Sequence, residues 1–449
     1  MKLGAARFLS PFRIIVASYV IAMFVFSILL YLPVSTQEGV TVTYSEALFT
    51  SVSAVSVTGL TVLNVSETYS PLGIFFLASA IQLGGIGVMT LGTFIWMVMG
   101  KKIALSQRML IMVDHNQISF AGMVKLMRGI LFVAFGIELT GALILGTYYT
   151  NYFDSVGEAF YQGAFGALSA FTNAGFDVTG QSLIPFADDY FVQLVNILLI
   201  FAGAIGFPVL MELKEYFTTK DTQFRFSLFT KIATATYFIV FAIGAVGLWI
   251  TERTAFYDGM VWHQQLFFSL FNSATARSGG LATMDMNELT MASLMLLSGL
   301  MIIGASPSSV GGGIRTTTLA VMFLTIRSFA LGRSDVKVFG REIHIEDQQK
   351  SFIVLSVFAV GLFAAITGIS FLETGQDVAL EAIIFEASSA FGTSGLSMGI
   401  TPDLSQGSQI ILMILMLIGR VGLVAFLFSI RAREKKTHYQ YPKERIIIG

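Results

Sequence analysis

Four glycines carry the strongest chemical signal in this 449-residue chain: Gly59, Gly175, Gly280 and Gly395, at intervals of 116, 105 and 115 residues. Each closes a stretch of similar make-up: FTSVSAVSVTGL (49–60), FGALSAFTNAGF (165–176), LFNSATARSGGL (270–281) and FEASSAFGTSGL (385–396). Leu or Phe follows every one of them. Glycine adopts positive φ without steric cost and lets backbone carbonyls face a space that a side chain would otherwise fill. Four copies about one axis would form rings of carbonyl oxygens able to replace a cation's hydration shell. The competing reading is that small residues merely allow helices to pack closely. A lone glycine favours packing; four at matched positions behind a short Ser/Thr/Asn-rich helix favour the ring.

Those stretches must be held by elements suited to a bilayer. Hydrophobic residues make up 55% of the chain and charged residues only 12%, about half the ~25% of a soluble domain. This composition excludes a soluble enzyme. Net charge is −1, which gives no global field for a polyanion, and the absence of Cys excludes disulfides and thiolate chemistry. A crossing needs about 20 uncharged residues. Four uncharged runs, Arg13 to Glu38, Asp189 to Glu212, Lys231 to Glu252 and Lys350 to Glu373, meet this length, and so does Glu67 to Lys101. Arg128 to Asp154, Glu288 to Arg327 and Asp403 to Arg431 each contain a single charge, Glu138, Arg315 and Arg420 respectively. Eight spans are therefore predicted, and the first reads as a retained helix, because Leu-Tyr-Leu-Pro follows where a cleavable signal would carry small residues.

The four glycine-bearing stretches lie after spans 1, 3, 5 and 7, and their helical parts of 12 to 14 residues reach only about 20 Å. Each is predicted to enter and turn back, a course tolerated only where the non-helical backbone meets protein or a water-filled cavity. Thr43 with Glu46 and Ser155 with Glu158 have capping-box spacing, and Asp258 and Asp377 are candidate N-caps of the other two short helices. Their C-terminal ends would then point to the membrane centre with partial negative charge, which favours a cation there. With this topology 23 of the 27 basic residues share one face, with only Arg253 opposite and Arg277, Arg315 and Arg420 inside the membrane segments. The positive-inside rule makes that face cytoplasmic, with both termini on it. The other face carries acidic loops that attract cations.

The fold class expected is an all-α polytopic membrane protein of four repeats, each a helix, a re-entrant pore helix with its glycine loop, and a second helix, around a pseudo-fourfold pore. The units run 1–110, 111–222, 223–345 and 346–430, with a cytoplasmic tail 431–449. A second glycine follows each first one at 24 to 28 residues: Gly84, Gly203, Gly304 and Gly419. The sixth span is interrupted by Gly304, Ala305, Ser306, Pro307, Ser308, Ser309, Val310, Gly311, Gly312 and Gly313. Pro lacks a donor and each Gly weakens a helix by about 1 kcal/mol, so this stretch is predicted to be an irregular break at mid-membrane. No Gly-Lys-Ser/Thr follows, so it is not a phosphate loop. Arg420 in an apolar span costs about 2.5 to 3.5 kcal/mol on insertion scales and requires compensation. A structural ion pair with Glu386 or Glu138 is one solution; an electrostatic barrier facing a cavity and touching the 304–313 loop is the other, and the two are compatible. Arg277 is expected to anchor the filter from behind, favoured over a direct ion contact because its charge would repel a cation, Glu386 to hold a filter loop, and Glu138 to act as a packing hydrogen-bonder.

Val57-Thr58-Gly59-Leu60, Asn173-Ala174-Gly175-Phe176 and Thr393-Ser394-Gly395-Leu396 resemble the degenerate filter sequences of the Trk/Ktr/HKT superfamily of potassium transporters. The resemblance extends over essentially the whole chain, including Gln82-Leu83-Gly84-Gly85-Ile86-Gly87 and Gly419-Arg420-Val421-Gly422, and is closest to the bacterial Ktr membrane subunit. It implies a selectivity filter of Val57, Thr58, Gly59, Asn173, Ala174, Gly175, Ser278, Gly279, Gly280, Thr393, Ser394 and Gly395. K⁺ would bind the backbone carbonyls of Gly59, Gly175, Gly280 and Gly395. Glycine at all four positions goes with K⁺ preference in that family, whereas Ser in the first repeat goes with Na⁺ permeation. The third repeat departs from the pattern, with Arg277-Ser278-Gly279-Gly280-Leu281 where the family more often has Ala before Gly and Phe after. The resemblance also makes 304–313 an intramembrane gate below the filter, the alternative being a kinked helix, and favours the barrier role for Arg420. It further implies a homodimer docked on a cytosolic ring of RCK-type nucleotide-binding subunits whose ATP or ADP state moves the gate. K⁺ is then the transported ion, no bound organic cofactor is expected, and the basic tail suits dimer or ring contact, or lipid. A Na⁺-permeable or Na⁺-dependent transporter is the alternative. A secondary transporter with a midplane site is disfavoured because the four units share one topology, where inverted repeats are common. An intramembrane enzyme is disfavoured because His115, His263, His344 and His438 are all placed away from buried acids.

Overall fold

The computed structural model describes residues 11–98, 123–219 and 224–430, with Met109, Leu110, Met112, Pro442, Glu444, Ile446 and Ile447. The tail expected to contact a dimer partner or ring, His115, His438 and several of the inner basic residues lie outside the described residues. The chain is mostly helical. Counting helices of eight residues or more, the first quarter contains α1 (Pro11–Tyr31), α2 (Tyr44–Ser56), α3 (Pro71–Ile86) and α4 (Val88–Val98). The second contains α5 (Met123–Tyr149), α6 (Val156–Thr172), α7 (Tyr190–Ala204) and α8 (Phe207–Thr218). The third contains α9 (Leu228–Glu252), α10 (Trp262–Ala276), α11 (Met291–Ile302) and α12 (Thr316–Ala330). The fourth contains α13 (Ile345–Leu372), α14 (Leu380–Gly392), α15 (Gln406–Val421) and α16 (Leu423–Ile430). The same order recurs each time: a long helix, a short one, then two half-helices. A two-stranded ribbon, Lys337–Val338 against Arg341–Glu342, joins α12 to α13.

Four helices, α1, α5, α9 and α13, are long and apolar enough to cross a membrane. The uninterrupted second helix expected in the first, second and fourth quarters is not what forms. The pairs α3/α4, α7/α8 and α15/α16 are bent by 107°, 103° and 100°, so the described residues contain up to seven spans if each bent pair counts as one. The cause is local. Gly87, Gly206 and Gly422 occupy the three breaks at φ +104°, +102° and +88°, a conformation that ends the α-helical run. The third quarter is broken more widely, between Ile302 and Thr316, where Pro and consecutive glycines predicted it.

The quarters close on one another. α2 packs on α15, α6 on α3, α10 on α7 and α14 on α11, so each short helix rests on the half-helix of the preceding quarter, and the first on that of the last. The short helices are the most deeply buried elements, whereas the long ones expose Phe132, Ile239 and Phe363 outward. That inversion suits a bilayer, where lipid is as apolar as the side chains that face it.

Helix starts follow the expectation in part. Thr43 caps α2 through a full capping box: Thr43 N donates to Glu46 Oε2 over 2.7 Å and Glu46 N to Thr43 Oγ1 over 3.3 Å. Ser155 takes the N-cap position of α6 without a side-chain bond. Asp258 and Asp377 do not cap: α10 and α14 begin after Val261 and Ala379 instead.

Candidate functional site

The short helices α2, α6 and α14 end identically. Val57, Asn173 and Thr393 take left-handed backbone at φ/ψ 59/51, 56/41 and 50/47. A β-branched residue rarely adopts this region, and two of these three are β-branched. The turn sends the next amides back to the helix: Thr58 N, Ala174 N and Ser394 N donate to the carbonyls of Ser53, Ser169 and Ser389 over 2.8, 2.8 and 2.9 Å. Gly59 N and Gly395 N then donate to the Ser53 and Ser389 hydroxyls, both over 3.0 Å. With the amides tied back, the carbonyl oxygens are left as the polar groups of the segment. Among the described residues no hydrogen bond is donated to the carbonyls of Thr58, Gly59, Ala174, Gly175, Gly280, Ser394 or Gly395. In the third quarter Ser278 N, Gly279 N and Gly280 N all converge on Thr275 O at 3.2, 2.6 and 3.3 Å, and Ser394 Oγ reaches across to Ala276 O over 2.8 Å.

The four glycines meet in cyclic order. A β-carbon added at Gly59 would lie 2.9 Å from the Gly175 Cα; one at Gly175, 2.9 Å from the Gly280 Cα; one at Gly280, 3.2 Å from the Gly395 Cα; and one at Gly395, 3.2 Å from the Gly59 Cα. All four have positive φ, between +68° and +96°. No side chain fits at this crossing, and only main chain lines it. The later glycines serve a different purpose, that of close packing. A β-carbon on Gly84, Gly203 or Gly419 would strike the carbonyl of Val55, Phe171 or Phe391, matched positions in the last turns of α2, α6 and α14.

Beside the glycine segments the 304–313 loop is irregular and hydrogen-bonded to several surrounding elements. Ser306 N donates to Ala204 O over 2.9 Å, Phe207 N to Ser308 O over 2.8 Å and Gly312 N to Thr393 Oγ1 over 2.8 Å. The break in α7/α8, the turn that ends α14 and the loop are thus one connected unit. Ala305, Ser306 and Val310 are buried.

A family model described as TrkH, cation transport protein, matches residues 6–438. The chain belongs to this family. It is 50% identical over 441 residues to the Ktr system potassium uptake protein D of Bacillus subtilis, covering 98% of each chain. It is 33% identical to the potassium/sodium uptake protein NtpJ of Enterococcus hirae, over 100% of this chain and 99% of that one. It is also similar to the crystal structure of the potassium transporter TrkH from Vibrio parahaemolyticus, with a TM-score of 0.73 at 16% identity, covering 95% of this chain and 86% of that one. The last likeness carries the fold.

In this TrkH-family chain the buried charges are handled by main chain more than by ion pairs. Arg420 donates to the carbonyls of Val310, Gly84 and Gly85, the last over 3.0 Å, and so joins the loop to the bend of the first quarter. It makes no ion pair with Glu386 or Glu138. Glu386 accepts from Ser397 Oγ, Met398 N and Thr401 Oγ1 at 2.5, 3.0 and 2.9 Å, which fixes the chain leaving Gly395. Glu138 accepts from Gln82 Nε2 at 3.0 Å on both oxygens. Arg277 points away from the glycines: its Nη1 donates to Tyr237 O over 2.7 Å, its Nη2 to Gly304 O over 3.0 Å, and its guanidinium lies 3.9 Å from the Tyr237 ring centre. Of the four histidines, His263 is placed against Tyr190, with its Nδ1 2.5 Å from the hydroxyl.

Arg315 escaped the sequence reading as a site residue. Its Nη1 donates to Gly311 O, beside the carbonyl that Arg420 holds. The available signal was its place as the lone charge within the sixth span, two residues after the triple glycine.

Proposed function

We propose that the chain is the ion-conducting subunit of a potassium uptake system, with Val57 to Gly59, Asn173 to Gly175, Ser278 to Gly280 and Thr393 to Gly395 as its selectivity filter. The observation that carries this reading is the cyclic approach of Gly59, Gly175, Gly280 and Gly395, with the amides of Gly59, Gly280 and Gly395 tied back and, among the described residues, all four carbonyls free of donors. Rings of carbonyl dipoles replace the hydration shell of a K⁺ ion, and the C-terminal ends of the short helices add partial negative charge at the same depth. The names of the relatives support the ion: potassium uptake for the Bacillus subtilis protein and potassium/sodium uptake for the Enterococcus hirae one. The second name keeps Na⁺ permeation as the alternative, and glycine at the first filter position favours K⁺.

Residues 304–313 and Arg420 act as the gate in this reading. The loop occupies the space beneath the filter, and an arginine held on its carbonyls repels a passing cation. Eight spans result when the broken second helix of each quarter is counted as one. Both termini are then cytoplasmic, the chain works as a homodimer, and a cytosolic RCK-type ring with ATP or ADP bound moves the loop. "Ktr system" in the relatives' names is consistent with such a partner.

Rubidium uptake into vesicles holding the purified chain tests the reading. Saturable uptake, competed by K⁺ more strongly than by Na⁺, is expected; the absence of protein-dependent uptake, with and without a ring subunit, would contradict it.

A further inference from the structure

The 304–313 loop forms part of the wall of a cavity of about 100 Å³ whose lining includes Gly85, Gly87, Ser308, Arg315 and Arg420. The two arginines are fastened to consecutive carbonyls of the loop, Val310 O for Arg420 and Gly311 O for Arg315. A carbonyl oxygen supplies partial charge only, so two formal positive charges face the same small space. Among the described residues no carboxylate pairs with either. The ion pairs among the described residues are Lys337 with Asp335 and Lys350 with Asp347, both at the surface. Glu386 and Glu138 are engaged elsewhere, as described above. α12, 15 residues long, begins immediately after Arg315 and adds the positive end of its dipole.

Arg420 also buries its charge with one donor unmatched. Arg420 is only 6% exposed, yet its Nε has no hydrogen-bond partner. A buried charged donor left unmatched is costly, and burying charge is tolerated when a counter-charge sits within reach. Arg315 has further N–H groups beyond the one on Gly311, since a guanidinium carries five.

We propose that this cavity binds a small monovalent inorganic anion of the size of chloride between Arg315 and Arg420. A spherical halide is satisfied by a few N–H donors at one point, whereas a tetrahedral oxyanion requires donors on several sides, and most of this lining is backbone and apolar. The anion halves the positive charge facing the cavity. On the conduction reading above, it would therefore set the height of the barrier that a cation meets below the filter. The binding itself does not depend on that reading.

The test is chloride binding to the purified full chain in lipid nanodiscs, read by ³⁵Cl line broadening and competed with bromide, with no flux measured. Saturable, bromide-sensitive excess broadening is expected in the parent chain, reduced at least tenfold in Arg315→Gln and retained in Arg315→Lys. The lysine variant keeps the charge and controls for misfolding. Absence of saturable broadening in the parent chain, or full broadening in Arg315→Gln, would overturn the proposal. Failure of rubidium uptake with chloride binding intact would instead count against conduction and leave the anion site standing.

Discussion

Gly312 and Thr393 are joined by a 2.8 Å hydrogen bond from the Gly312 amide to the Thr393 hydroxyl, so the intramembrane loop hangs directly from the residue that turns the fourth short helix into its glycine segment. Thr393 holds its left-handed backbone at φ 50° with that hydroxyl facing inward. A displacement of the loop must break this bond or move the turn with it. Two parts that the sequence separates by 81 residues therefore share one polar contact.

Thr393→Val tests the contact at nearly constant shape. The variant leaves the buried Gly312 amide unpaired, at a cost of about 1 to 3 kcal/mol. Rubidium flux through the purified chain should rise several-fold as the loop loosens, and Thr393→Ser should restore the parent value. Equal flux in all three chains would show that the bond does not restrain the loop.

Arg420→Gln should act through the same loop from the other side. The guanidinium bonds to Val310, Gly84 and Gly85 carbonyls, and its bonds to neutral acceptors are worth about 1.5 to 3 kcal/mol each when charged. Loss of the charge removes both a restraint and a repulsive field, so basal flux should increase while the melting temperature falls. An unchanged melting temperature would indicate that the three bonds are not made in the membrane.

Two glycines should respond differently to the addition of a side chain. At Gly84 a β-carbon meets the Val55 carbonyl, so Gly84→Ala should destabilise helix packing by about 1 to 3 kcal/mol and lower the yield of folded protein. At Gly59 the added atoms meet the Ala174 carbonyl and the Gly175 Cα, and φ is +96°. Gly59→Ser should therefore displace the Ala174–Gly175 main chain and weaken the preference for K⁺ over Na⁺ in competition uptake, in addition to any loss of folded protein. Selectivity equal to the parent chain would remove Gly59 from the ion path.

Glu373 gives a pH dependence outside the spanning segments. Burial pushes its carboxyl up, but Ser405 and Ser408 hydroxyls and the Ser405 amide donate to it and outweigh burial, leaving its pKa below the usual glutamate value. A pKa lower in the folded state means that the contribution is complete above the unfolded value of about 4.3 and is lost as pH falls through the folded one. Glu373→Gln should thus melt below the parent chain at pH 7, and the gap should close as pH drops under about 4. A gap independent of pH would contradict the assignment of the stabilisation to the carboxylate.

Much of this architecture was legible in the residues. The short helices and their terminal glycines stand out because the motif repeats, and the break at 304–313 stands out because Pro and three glycines interrupt one apolar run. The bends at Gly87, Gly206 and Gly422 did not stand out. A single glycine in an apolar run costs a helix only about 1 kcal/mol, so the run reads as continuous until tertiary contacts force the turn. Asp258 and Asp377 had the chemistry of caps but lie two to three residues too early, an error inherent in placing helix ends from composition. The contact of Arg420 with the 304–313 loop was legible, but its bonds to the Gly84 and Gly85 carbonyls were not, because backbone carbonyls carry no residue identity. An ion pair with Glu386 or Glu138 was the answer that side chains alone could suggest.

The central claim, that main-chain oxygens around Gly59, Gly175, Gly280 and Gly395 hold a dehydrated alkali ion, is tested most directly by anomalous diffraction from crystals of the protein soaked in rubidium or thallium. The expected result is a cation peak on the line where the four glycines meet, lost on exchange into a large organic cation. Clear density for the four segments with no peak between them would contradict it.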